Sequence, residues 1–166
     1  MMLKNRGFLV HEARKGASVA RISQQEAEDI FRIRACLDSL ATSLTAAKRT
    51  PGFMRKLNKI HQQMIQSAEE GNLASYQSLN DRFHELIIQA CGNERLIQLI
   101  LNFEKQTEYY RRITQKNGLD WVKDSRKTHA EMMAAFEKGD PEEVGKIRKE
   151  VILGQIPRFS DYEKEG

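Results

Sequence analysis

The chain has 166 residues, 40% of them hydrophobic and 30% charged, enough for one domain with one substantial core. No apolar run approaches the ~20 residues that a membrane span needs, and the first residues lack the apolar stretch and small-residue cleavage site of a secretory signal. The net charge of +4 sits within residues 1–23, where Lys4, Arg6, Arg14, Lys15 and Arg21 face only Glu12, so the neutral remainder offers no electrostatic reason to bind nucleic acid. Two isolated cysteines, Cys36 and Cys91, make neither a disulfide framework nor a zinc finger, and a reducing cytoplasm is the expected home.

Residues 7–23 predict a two-stranded hairpin: GFLVHEAR is rich in strand formers, RKG suits a turn, and ASVARIS alternates small or polar with apolar residues. An isolated hairpin is barely stable in water, so it needs a surface to pack on. From Ser23 onward every signal is helical. SQQE, Ser23 to Glu26, has the spacing of a capping box. Ile30, Ile33, Leu37, Leu40 and Leu44 repeat at three and four, which predicts one buried face. Pro51 ends that helix, and a second carries Phe53, Leu57, Ile60, Met64 and Ile65. Asn72 caps a third that stops at Gly92. Asn93 opens a fourth, with Leu96, Ile100, Phe103 and Tyr110, ending near 116–118. Asp120 starts a fifth, through Trp121, Met132, Met133 and Phe136 to Gly139. DPEE at 140–143 is a strong start signal for a sixth, an N-cap Asp with Pro at the first position and acids near the positive end. That helix carries Val144, Ile147, Val151 and Ile152, and Pro157 limits it. Short connections favour antiparallel neighbours. The expected fold is therefore all-α, an antiparallel bundle of about six helices preceded by a short β-hairpin.

Polar residues interrupt these apolar stripes at four places. Arg34 follows Ile30 by four, Asn80 and His84 share the inward face of the third helix with Tyr76, Phe83 and Ile87, and His129 precedes Met132 and Met133 by three and four. A buried Arg is costly unless paired, and Asp38, one turn along, is the simplest partner. A single inward His is more often a satisfied core residue than a ligand. Four such residues on three helices instead suggest a pocket that is mostly apolar with a few convergent polar groups. His11 and His61 read as surface positions. YYRR at 109–112 reads as a helix end with basic groups near its negative pole. No phosphate-binding glycine loop or nucleophile elbow is present.

The order of segments carries a family resemblance. LKNRGFLVHEARKGASVARIS resembles the end of a recognition helix followed by the wing of a GntR-family winged helix-turn-helix. EAEDIFRIRACLDSLATSLTA, LNDRFHELIIQACGN and THAEMMAAFEKGDPEEV resemble, in the right order, segments of the FadR-type effector domain known as FCD. The resemblance implies a remnant of the DNA-binding domain over 1–23, lacking its helix-turn-helix, and an effector-binding and dimerisation domain over 24–166. It also implies a cytoplasmic homodimer that senses a small metabolite, often a carboxylate. Operator DNA is a partner only where the helix-turn-helix is present, no membrane is involved, and no enzyme activity is expected.

Many FCD domains hold a divalent metal with an Asp and a His four apart on one helix and two His on later helices. The resemblance places His84 and His129 at two of these positions. Asn80 stands at the Asp position and Val151 at the last His position, with Asp81 as a nearby alternative. Zinc or nickel at Asn80, His84 and His129 would therefore be weakly held. Arg34 matches the Arg of the family's first helix and would grip an effector carboxylate. Two other readings compete: a small metal-dependent helical enzyme using His84 and His129, and a ligand-free interaction module in which the four polar residues satisfy one another.

Overall fold

A computed structural model describes residues 10–12, 16–18, 22–115 and 118–157. Among them are six α-helices: α1 (Gln24–Ala47), α2 (Pro51–Glu69), α3 (Leu73–Ala90), α4 (Glu94–Thr114), α5 (Gly118–Lys138) and α6 (Pro141–Leu153). The all-α expectation holds. Of the region expected to form a hairpin, the described residues contain two three-residue strands, β1 (Val10–Glu12) and β2 (Gly16–Ser18). They pair antiparallel with His11 opposite Ala17. The rest of 7–21 lies outside the described residues, as do Lys4, Arg6, Arg14, Lys15 and Arg21. Six residues are too few to count as a stable part of the fold on their own, and the fold rests on the helices.

The start signals act as the sequence predicts. The Ser23 hydroxyl accepts from the Glu26 amide while the Ser23 amide donates to the Glu26 carboxylate at 2.9 Å, closing the capping box. Asn72, Asn93 and Asp140 each accept the amide three residues on, from Ser75, Leu96 and Glu143. The fifth helix starts two residues earlier than expected, at Gly118, whose φ of +48° an L side chain resists.

The inward face of α1 corrects the reading of its stripe. None of Ile30, Ile33, Leu37, Leu40 and Leu44 is buried, and Ile33 and Leu40 are 49% and 48% exposed. Leu37 and Leu44 rest partly on a cluster of Ile88, Leu96, Ile97 and Ile100. The buried face consists instead of Ala27, Phe31, Arg34, Ala35, Asp38, Ala41, Thr42, Thr45 and Ala46. These small and polar residues let α6 lie close along α1. A Cβ on Gly145 would sit 2.1 Å from the Ser43 hydroxyl, and that hydroxyl donates to the Pro141 carbonyl at 2.7 Å.

Helix directions follow from paired contacts. Along α1 and α6, Phe31 clusters with Ile152, Asp38 bonds Arg148 and Ser43 bonds Pro141, so the two run antiparallel. Along α1 and α4, Ile22 meets Tyr110, Arg34 meets Thr107, and Ala41 clusters with Ile97 and Ile100, again antiparallel. Helices α3 and α5, two apart in the chain, run in the same sense, since Tyr76 meets Ser125 and His84 meets His129, as alternating antiparallel neighbours require. The main core gathers Leu57 and Met64 of α2, Tyr76, Phe83 and Ile87 of α3, Met132 and Phe136 of α5, and Val144 of α6. Among the described residues no helix is long and apolar enough to cross a membrane.

Candidate functional site

Helices α1, α3, α4, α5 and α6 enclose a cavity of about 330 Å³. Arg34, Asn80, His84 and His129 all line it, and so does Val151. The residues picked out on separate apolar stripes are thus brought to one place. His84 and His129 are in direct contact, Nε2 to Nε2 at 3.2 Å. The Phe83 ring packs edge-on against His129, with ring centroids 4.8 Å apart. Asn80 is buried and its amide nitrogen donates to Asp81 at 3.3 Å. Asp81 is itself taken by Arg111 at 2.6 Å.

Hydrogen-bond chemistry fixes the tautomers of the imidazole pair. His129 Nδ1 lies 2.7 Å from the Ser125 carbonyl oxygen, which only accepts, so Nδ1 carries the proton. In the neutral ring Nε2 then offers a lone pair, and His84 Nε2 must be the donor across the 3.2 Å contact. His84 Nδ1 is left as a buried acceptor with no partner among the described residues. Burial holds both rings neutral. It pushes His129 down to about 3 despite the opposing bond to Ser125, and it lowers His84 well below the usual range, helped by the Arg148 charge.

The same geometry tests the fit to a divalent metal. One ion between the two imidazoles needs both Nε2 lone pairs, which would move the His84 proton to an Nδ1 that faces no acceptor. Val151 contributes nothing, and among the described residues no group of three or more His, Cys, Asp or Glu side chains converges to hold a metal. The residues present do not fit a firmly held metal.

The charged part of the cavity departs from the simple Arg34–Asp38 pair. Arg34, 2% exposed, donates to Glu104 at 3.0 Å and to the Thr107 hydroxyl at 3.1 Å, both on α4. Its Nε faces Asp38 Oδ2 at 3.8 Å, too long for a hydrogen bond, and both atoms are otherwise unpartnered. The firm partner of Asp38 is Arg148 of α6, whose Nε and Nη2 reach Asp38 Oδ1 at 3.1 and 2.6 Å. Arg148 and Glu104 were not legible as site residues from the stripes chosen on their helices. Each nevertheless carried a signal of the kind that flagged Arg34. Arg148 lies midway between Val144 and Ile152, four residues from each, and Glu104 lies four after Ile100 and three before Thr107. His61, expected at the surface, is buried on α2 against Phe83, ring centroids 6.3 Å apart. It lies on the Leu57 and Met64 face, one position from the Ile60 that the stripe favoured.

Comparison with known proteins gives a consistent result. The family model described as FCD domain matches residues 29–153. The chain is 25% identical over 150 residues to the HTH-type transcriptional repressor GlaR of Escherichia coli (strain K12), spanning 86% of this chain and 68% of that protein. In fold it is similar to E. coli McbR/YncC, with a TM-score of 0.79 at 18% identity over 92% of this chain and 73% of that one. It is also similar to Streptococcus agalactiae GntR, with a TM-score of 0.63 at 16% identity over 92% and 75%.

Proposed function

This chain belongs to the FCD-domain proteins of the GntR family, and on that premise we propose that it senses a small carboxylate in the cavity between its helices and works as a homodimer. The FCD domain is the effector-binding domain of these regulators, and the relatives are transcriptional regulators rather than enzymes. The observation that carries the ligand reading is the convergence of Arg34, Asn80, His84 and His129 on one 330 Å³ cavity, a volume suited to a small metabolite. Arg34 supplies the cation for a carboxylate. The unpartnered His84 Nδ1 accepts a hydroxyl or amine proton. Zinc or nickel at His84 and His129 is weakly held and is not the organising element. The site works by binding, without catalysis.

Homodimer formation is supported by α1 and α4. Ile33 and Leu40 of α1 and Leu99 of α4, all close to half exposed, sit on two helices that pack together, and a second copy would cover them. The expected location is the cytoplasm. The expected output partner is operator DNA, reached through a winged helix-turn-helix whose wing residues 1–23 resemble.

Titration calorimetry with a panel of small mono- and dicarboxylic acids tests the ligand reading. One class should bind, and Arg34→Gln should weaken it at least tenfold, since a charge-assisted hydrogen bond contributes about 1.5–3 kcal/mol. Binding of only neutral or cationic metabolites would exclude the carboxylate class. Light scattering should give twice the chain mass for the native protein and a lower mass for the double variant Ile33→Glu with Leu40→Glu. A monomer mass for the native chain at micromolar concentration would remove the dimer.

A further inference from the structure

We propose that Glu104 is a resident carboxylate on Arg34, and that an anionic effector binds the cavity by displacing it. This rests on the reading that the cavity takes a small carboxylate. Every arginine that lines the cavity already holds an internal acid: Arg148 holds Asp38, Arg111 holds Asp81 and Arg34 holds Glu104. A carboxylate ligand that takes the Nη2 of Arg34 therefore has to exchange with Glu104.

The three acids are not equally able to leave. Asp38 is fully buried, with no route to water short of parting α1 from α6. Asp81 and Arg111 are both substantially exposed, so their pair lies at the cavity mouth, where water screens it and its contribution is small. Glu104 is the intermediate case. Its Arg34 partner is 2% exposed while its own side chain is 34% exposed. It lines both the 330 Å³ cavity and an outer groove of about 810 Å³. A side-chain rotation would carry its carboxylate from Arg34 to the solvent of that groove while the α4 backbone stays in place. Burial also pushes the Glu104 carboxyl above the ordinary carboxylate range even though Arg34 pulls the other way. Glu104 thus sits on Arg34 at a desolvation cost that its release recovers.

Exchange leaves the charge of the buried network balanced, because one carboxylate replaces another beside Arg34. The selectivity follows. A neutral ligand of the same shape would strip Glu104 away and leave the buried Arg34 without its hydrogen-bonded carboxylate, so the site discriminates for an anion. An effector meets a vacant Arg34 only in the fraction of molecules whose Glu104 is rotated out, and its apparent affinity is reduced by that fraction. Displacement also removes one of the two side-chain bonds by which Arg34 ties α1 to α4, so occupancy of the cavity is felt where those helices pack.

The test needs no knowledge of the natural effector. Acetate is the smallest carboxylate that fits the vacated position, and acetamide and chloride are its neutral and anionic controls. Binding to the whole chain is followed by thermal midpoint and by the shift of the Arg34 Nε–H NMR resonance, assigned with Arg34→Lys. Acetate should bind Glu104→Ala at least about tenfold more tightly than the native chain, raise its midpoint, and move the Arg34 resonance, while acetamide and chloride do neither. Glu104→Gln keeps the side-chain volume, should show the same gain, and serves if the alanine variant does not fold. Equal acetate affinity for native and variant chains, or no acetate response in either variant, overturns the exchange. If larger carboxylates still bind the native cavity in that case, the carboxylate-sensing reading survives and only the role of Glu104 falls. A strong acetate gain with no carboxylate metabolite bound would do the reverse.

Discussion

Removing the Arg148 side chain isolates the most deeply buried charge among the described residues. Asp38 is 0% exposed, and Arg148 supplies both of the hydrogen bonds its side chain receives, at 3.1 and 2.6 Å. The nearest other cation, Arg34, stops at 3.8 Å and is held away by Glu104 and Thr107. Arg148→Ala therefore leaves a carboxylate in the α1–α6 interface with no charge-assisted partner. Breaking a buried pair from one side costs about 3–5 kcal/mol, a large share of the roughly 5–15 kcal/mol that holds a domain folded. At about 2–4 °C per kcal/mol for a chain of this size, the melting midpoint should fall by roughly 6–20 °C. Removing both charges tells the two sources of that loss apart. Asp38→Leu with Arg148→Met deletes the desolvation penalty along with the attraction, and such replacements are often neutral or stabilising by about 1–4 kcal/mol. Urea denaturation of the native chain and these two variants should show the double variant more stable than Arg148→Ala. A loss below about 1 kcal/mol for Arg148→Ala would refute the reasoning, because it would mean that the pair does not tie α6 to α1.

Restoring the family's ligands should restore a metal site: Asn80→Asp with Val151→His adds a carboxylate and a third imidazole at the cavity, and zinc or nickel affinity should rise at least about a hundredfold by calorimetry. Unchanged affinity would show that position 151 cannot reach the ion. Stability of chelator-treated protein should fall with acid, because the His129 pKa drops on folding from 6.5 to about 3. The stabilisation is complete above the unfolded value and lost progressively below it, on the order of 2 kcal/mol by about pH 5. His84 shifts in the same direction, and a flat profile over that window in urea titrations would contradict the burial of the pair. Gly145→Ala should destabilise by about 1–3 kcal/mol through overpacking even though Ala is the better helix former, and Ser43→Ala, which removes the oxygen 2.1 Å from the new Cβ, should return part of that loss.

The sequence determined the helices and most of their starts, α5 excepted. Capping residues act on backbone amides within one turn, so Ser23, Asn72, Asn93 and Asp140 mark helix starts whatever lies across the bundle. Polar interruptions of apolar stripes picked out Arg34, Asn80, His84 and His129, because burying such groups is costly without partners, and all four meet in one cavity. Only the tertiary structure decided which face of α1 is inward. Periodicity shows that Ile30, Ile33, Leu37, Leu40 and Leu44 lie on one side, but not whether that side meets the chain's own core or the outside. Here close packing of α6, which requires Gly145 and the small residues of α1, claims the opposite face. The partners of the buried charges were likewise decided by packing. Asp38 lies one turn from Arg34 in sequence, yet Arg148 from α6 takes it, and Glu104 from α4 takes Arg34. A local pair must compete with every group that the fold brings within 3 Å, and sequence spacing carries no information about those.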